Sequence, residues 1–163
     1  MTIEERALLL SIRPKYAEAI MAGDKSAELR RQRPGVSPGS AMMIYTTAPV
    51  AALTGIAKIM SISEGSPDEI WERHGDELGL SRTEFDSYLA GAATAIALTL
   101  SEPRRLSEPL SLQELREKLA FHPPQSFRYM TKTMIDQLAR ADHPDHELLE
   151  DLLSANLQQP LPT

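Results

Sequence analysis

The sequence predicts an α+β domain: a small, partly closed β-barrel with helical insertions, followed by a helical C-terminal extension. Three observations carry this. Five or so segments read as strands, several of them short, and they alternate irregularly with helices and loops. Helix starts are marked by a serine followed three residues later by glutamate, as in Ser81-Arg82-Thr83-Glu84 and Ser111-Leu112-Gln113-Glu114. No strand leads into a glycine-rich phosphate loop, since neither GxGxxG nor GxxxxGK[ST] occurs. That argues against a doubly wound nucleotide-binding sheet.

In chain order, Ala7–Ile12 is a short apolar run that stops at Arg13-Pro14 and reads as a buried strand. Pro14 suits a helix start. From Lys15 to Ala22, Tyr16, Ala19 and Ile20 share a helical stripe, and Gly23 stands where a helix ends. Ser26–Arg31 reads as a strand. Alternation then points Ala27 and Leu29 one way and Ser26, Glu28 and Arg30 the other. The stretch Arg33-Pro34-Gly35-Val36-Ser37-Pro38-Gly39 is a turn-rich loop. Ala41–Thr46 is a strand with Tyr45 near its end, broken by Ala48-Pro49. Val50–Ile62 is a strand in which Gly55 marks a bulge or a close backbone approach.

Ser66-Pro67-Asp68-Glu69 opens a helix to about His74, with a serine cap, proline in the first turn and acids behind it. A second helix runs from Ser81 to about Leu89 and ends at Gly91. Ala92–Leu100 is a further strand. A third capped helix runs from Ser111 to Leu119 and stops at His122-Pro123-Pro124-Gln125. Ser126–Met130 is of undecided type. Thr131–Ala139 and Asp145–Leu153 are amphipathic helical patterns divided by His143-Pro144.

Composition narrows the function. The chain has 163 residues, which suits one domain plus an appendage. It has no cysteine, so disulfides, thiolate metal sites and a cysteine nucleophile are excluded. No two histidines stand at the spacing of HExxH, and neither a metal nor a cofactor is expected. Asp and Glu total 23 against 17 Lys and Arg, a net charge of −6. A protein that coats polyanions by bulk charge is excluded, because such binding needs many cationic contacts. A local basic patch remains open. The N-terminus, MTIEERALLL, is acidic before it is apolar, the reverse of a secretory signal, and no apolar run approaches a membrane span. The expectation is a cytoplasmic protein with no membrane partner.

The densest cluster of charged, chemically capable residues is Gly23-Asp24-Lys25-Ser26-Ala27-Glu28-Leu29-Arg30. It reads either as a solvated edge strand, whose Glu28–Arg30 pair is worth well under ~1 kcal/mol, or as the floor of a site. Arg30 offers a planar fork for a phosphate or a carbonyl pair. Lys25 is a compact charge beside it. Glu28 can accept from a base's amine, hold Arg30, or act as general base. Tyr45 is a stacking surface for a base, at ~1–3 kcal/mol each, or ordinary barrel packing. Arg13, Lys15, Arg31, Arg33, Arg104, Arg105 and Arg128 complete a cationic rim if the fold gathers them. Ser126, Arg128 and Tyr129 stand in a rigid, polar–aromatic segment. That segment either walls a cleft or plugs the barrel with Phe127 and Tyr129.

This cluster resembles the hallmark of the ASCH domain family, GxKxxExR, with Gly23, Lys25, Glu28 and Arg30 filling all four positions. Its context, LLLSIRPKYAEAIMAGDKSAELRR, matches as well. The stretches SPGSAMMIYTTAPVAALTGIAKI and HPPQSFRYM are similar to the bacterial branch often described as predicted transcriptional regulators. The resemblance covers about residues 6–130, and 131–163 lie beyond it as the helical extension. It implies a PUA-like barrel whose cleft is lined by the hallmark residues. Members of the family have been assigned RNA binding, ribonuclease activity, or removal of an acetyl group from acetylcytidine nucleosides.

The resulting expectation is a nucleic-acid-binding module, with regulation as one role open to it. It holds single-stranded RNA, a nucleobase or a nucleotide through Lys25, Glu28, Arg30, Tyr45, Arg13, Arg31, Ser126 and Arg128. The alternative is a hydrolase on the same cleft with Lys25 and Glu28 catalytic, either a ribonuclease or an acetylcytidine-type amidohydrolase. For the amidohydrolase the resemblance aligns the lysine with Lys25, but Glu28 stands where that branch has threonine, and Glu77 is the candidate for its glutamate. The extension is expected to pack on the barrel, to self-associate or to dock a protein partner, with the barrel then a ligand sensor. Residues 142–151 hold five acids and no Lys or Arg, so they do not suit a DNA-reading helix.

Overall fold

The computed structural model describes residues 6–119, 121–124, 127–139, 143–149 and 151. Strand β1 (Arg6–Ile12) leads into helix α1 (Pro14–Ala22), then β2 (Ala27–Arg30), β3 (Ala41–Thr46) and β4 (Ala52–Gly65). Helix α2 (Pro67–His74), a 3₁₀ turn (Gly75–Glu77) and helix α3 (Arg82–Tyr88) form an insertion before β5 (Ala95–Ser111). Helix α4 (Leu112–Leu119), β6 (Phe127–Thr131) and α5 (Lys132–Leu138) follow.

Local signals act where they were read. Pro14 occupies the first turn of α1, and Gly23 ends it in the left-handed region at φ 85°. Both capping boxes of the insertion are complete, Ser66 with Glu69 and Ser81 with Glu84. Gly55 sits at a register shift between β4 and β5, and a Cβ there would collide with the Met21 side chain. The segment of undecided type is the edge strand β6, antiparallel to β1.

The six strands form one mixed sheet in the order β2-β5-β4-β3-β1-β6. Only β1 and β3 run parallel. The hydrogen-bonded ladder ends at β2 and β6, with no pairing between them among the described residues. An α+β fold is therefore seen, without the expected barrel closure. Strand β5 is also longer than the expected Ala92–Leu100. Beyond Leu100 the strand carries Pro103 and Pro109, yet it pairs with β4, with interruptions, from Ala52↔Ser111 to Gly65↔Ala95. Irregularities in register and a left-handed Glu102 (φ 51°) absorb the interruption.

Three cores hold the layers. Ala7 and Leu9 of β1 face one core, with Met43, Tyr45, Leu115, Phe121, Met130 and Ile135. Leu8, Leu10 and Ile12 face a second, against Ala17 and Ile20 of α1. Burial on both faces explains the unbroken apolar run of β1. The third core joins Ala27 and Leu29 of β2 to Ile70, Leu78, Phe85 and Leu89 of the insertion. In the extension, Ile135, Leu138 and Leu149 are buried in the first core, while Leu152 and Leu153 lie outside the described residues. Among the described residues, no helix is long and apolar enough to cross a membrane.

Candidate functional site

Gly23 turns the chain out of α1 and delivers Lys25 to the start of β2. From Ala27 onward strand parity holds. Ala27 and Leu29 enter the third core, while Glu28 and Arg30 line a cleft of about 890 Å³. Lys25 precedes the strand and escapes its parity, which would have placed it with Ala27. It turns instead toward Glu28, with Nζ 3.7 Å from Oε1.

Each hallmark side chain has a distinct environment. Lys25 is 2% exposed. Its Nζ donates to the Leu78 carbonyl and lies 5.5 Å from the centre of the Tyr16 ring. Burial pushes its pKa below the ordinary lysine value, Glu28 pulls it back up, and Arg30 lowers it further. Glu28 is 8% exposed. Its Oε1 accepts the Leu29 N–H at 3.0 Å, and its other oxygen has no hydrogen bond among the described residues. Arg30 is 7% exposed, and its Nη2 donates to the Ser11 carbonyl at 3.1 Å. Its Nε is buried without a partner.

Two walls rise from this floor. Ser11, Arg13 and Tyr16 form one; Leu80, Thr83, Glu84, Ser87 and Tyr88 form the other. Glu84 ties them together by accepting from the Tyr16 hydroxyl at 2.7 Å and from Lys15 Nζ at 3.3 Å. The backbone N–H of Ser81, then the Tyr16 hydroxyl, hold the Glu84 carboxyl down at about 2. The same bond raises the Tyr16 pKa. Arg13 is exposed and has no carboxylate partner among the described residues.

Lys25, Glu28, Arg30 and Arg13 therefore meet in one cleft, while the other expected residues stand elsewhere. Arg31 is exposed and outside the cleft lining. Tyr45 is 2% exposed in the first core, its ring tilted against Phe121 at 5.7 Å, and burial raises its pKa. It offers no open face to this cleft. Arg128 stacks over Phe121 at 5.2 Å with Nη2 beside Met134 sulfur. Ser126 lies outside the described residues. Tyr129 is held by the Gly35 N–H at 2.8 Å and lies under the Arg6 guanidinium. Glu77 is bonded to His74 at 2.7 Å and does not line the cleft.

Three members of the wider cationic rim are paired with carboxylates from other elements. Lys15 pairs with Glu84, Arg33 with Glu64, and Arg105 with Glu18. Tyr16, Glu84 and Tyr88 are the cleft residues that the sequence reading missed. Glu84 carries a detectable signal. A capping glutamate uses one oxygen on the cap, here Oε1 to the Ser81 N–H, and leaves Oε2 for a second partner.

Fold and site together define a class: a small α+β domain with a cationic, carboxylate-bearing cleft at an edge strand of a mixed sheet. Comparison with known proteins gives the family. The ASCH domain matches residues 10–109. The ASCH domain-containing ribonuclease of Zymomonas mobilis subsp. mobilis is 32% identical over 136 residues, covering 83% of this chain and 91% of that protein. The crystal structure of ASCH from Zymomonas mobilis aligns with a TM-score of 0.77 at 32% identity, over 83% of this chain and 94% of that one. A serine-to-alanine variant of the latter gives 0.78 at 31% identity, over 83% and 95%. The chain belongs to the ASCH domain family.

Proposed function

We propose that this protein binds single-stranded RNA in the cleft and cleaves it as a ribonuclease. The observation that carries the reading is Arg30. It is a guanidinium with no carboxylate partner among the described residues, lining an open cavity beside Glu28, whose second oxygen has no hydrogen bond among the described residues. The ribonuclease name of the Zymomonas relative supports the choice of RNA.

In this mechanism Glu28 accepts the proton of a ribose 2′-hydroxyl. The 2′-oxygen bonds to phosphorus, the bond to the 5′-oxygen breaks, and Glu28 returns the proton to the leaving oxygen. Arg30 faces the charge that develops on the phosphoryl oxygens. Lys25 acts on Glu28 through the ion pair between them, holding the carboxylate in place. None of the four histidines lines the cleft, and among the described residues lining it Glu28 is the carboxylate left for proton transfer, Glu84 being bound to Tyr16 and Lys15.

The test is a labelled single-stranded RNA with wild type and Glu28→Gln. Cleavage is expected to fall by about 10²–10⁴-fold, the usual share of general acid–base catalysis, with RNA still bound. Undiminished cleavage by the variant overturns the mechanism.

A second reading places the reacting phosphate near Tyr45. Solved structures of the Zymomonas protein include a tyrosine-to-phenylalanine and a serine-to-alanine variant. Each substituted position stands two places further along that chain than Tyr45 and Ser126 stand along this one. Tyr45 is the β3 partner of Ser11, which lines the cleft and donates to the Pro124 carbonyl at 2.6 Å. The two locations thus share a wall. Tyr45→Phe separates the readings: lost cleavage with intact binding moves the chemistry to this side.

A further inference from the structure

We infer that Tyr88 is the platform on which one base of the bound single-stranded RNA stacks, with that nucleotide's phosphate toward Arg13 and Arg30. The inference rests on the RNA-binding reading of the cleft and adds which end of the ligand each wall takes.

Helix α3 is fixed by what it buries. Phe85 and Leu89 are locked into the third core. The helix therefore cannot turn its other stripe, Thr83, Glu84, Ser87 and Tyr88, away from the cleft. Glu84 is committed to Tyr16 and Lys15, leaving two hydroxyls and one aromatic ring to face a ligand. The opposite side carries Arg13 and Arg30, neither with a carboxylate partner among the described residues. A ligand charged at one end and flat and uncharged at the other matches this polarity.

The two cleft tyrosines differ in availability. The Tyr16 hydroxyl is bonded to Glu84, and its ring has Lys15 and Lys25 within 5.5 Å. Tyr88 is 40% exposed and, among the described residues, makes no hydrogen bond or ring contact. The exposed part of this ring, at the edge of the cleft, gains nothing from folding. An unstacked base covers it, as aromatic platforms do in single-strand recognition. A duplex, whose base faces are already covered, does not.

The experiment measures binding of a short labelled single-stranded RNA and of ribose 5-phosphate to wild type, Tyr88→Phe and Tyr88→Ala. Ribose 5-phosphate has the sugar and phosphate but no base. Tyr88→Ala is expected to weaken RNA binding by about 5- to 150-fold, the size of one aromatic stack. Tyr88→Phe is expected to stay near wild type, with ribose 5-phosphate unchanged in all three. RNA bound equally well by Tyr88→Ala overturns the platform and leaves the RNA-binding reading standing. Equal weakening of ribose 5-phosphate also overturns it, since the loss would not be of stacking. Wild type failing to bind RNA overturns the underlying reading, and the platform with it.

Discussion

Arg30 and Arg128 sit on the two edge strands of one sheet, β2 and β6, and have opposite fates. Arg128 lies over the Phe121 ring with its Nη2 against the Met134 sulfur, so α5 and the segment after α4 fill its surroundings. Arg30 has one backbone acceptor, an unmet Nε and a cavity in front of it. The two residues are chemically identical, and the sequence offered both as ligand contacts, Arg30 within the hallmark motif and Arg128 in the polar–aromatic segment. What separates them is whether a sequence-distant apolar element arrives to cover the guanidinium. The covered edge is packed into the core, and the uncovered one faces a cleft.

That division can be broken most forcefully on the filled side. Phe121→Ala removes a fully buried ring that touches both Tyr45 and Arg128. It is expected to cost about 3–5 kcal/mol in denaturant unfolding. A cost below about 1 kcal/mol would mean that this edge is not packed as described. A smaller effect sharpens the contrast directly. Arg30→Ala should weaken RNA binding about 10- to 100-fold, the range for a charged hydrogen bond. Arg128→Ala should change it by less than about threefold, since its guanidinium is engaged within the fold. The reverse order would transfer the binding site to β6.

The strand parity of Glu28 and Arg30, the proline and glycine bounding α1 and the two insertion caps were legible because each is a local property of a few neighbouring residues. Tyr45 was not, because its ring is closed off by Phe121, which lies 76 positions later in the chain. Strand β5 was cut short because its prolines are local stop signals overridden by the full-length partner β4. The pairing of Arg105, Arg33 and Lys15 was hidden for a related reason: their partners Glu18, Glu64 and Glu84 come from three different elements. The cleft wall on α3 was hidden behind its own capping signature.

The subtlest effect is on pH. The Glu84 carboxyl titrates at about 2 against an ordinary 4.5 because the folded chain hydrogen-bonds its ionised form. A depressed folded value stabilises the native state fully above pH 4.5, and that contribution fades as pH falls toward 2. Thermal melts of wild type should therefore lose midpoint between pH 4.5 and 2 more steeply than those of Glu84→Gln. Parallel slopes would show that the bond between α1 and α3 carries no weight. The site is exposed, so the difference will be small.

The Lys25 ammonium grips the insertion by the main-chain carbonyl of Leu78, and the neighbouring Ser26 N–H takes the carbonyl of Glu77. Neither grip reads a side chain. Any residue at position 78 presents the same oxygen, so long as its side chain still fills the third core. The hallmark lysine is in this sense a universal socket. The floor of the cleft keeps one geometry while the sequence of the wall plugged into it is free to vary, so what the site recognises can be rewritten in α3 without touching the motif that holds it.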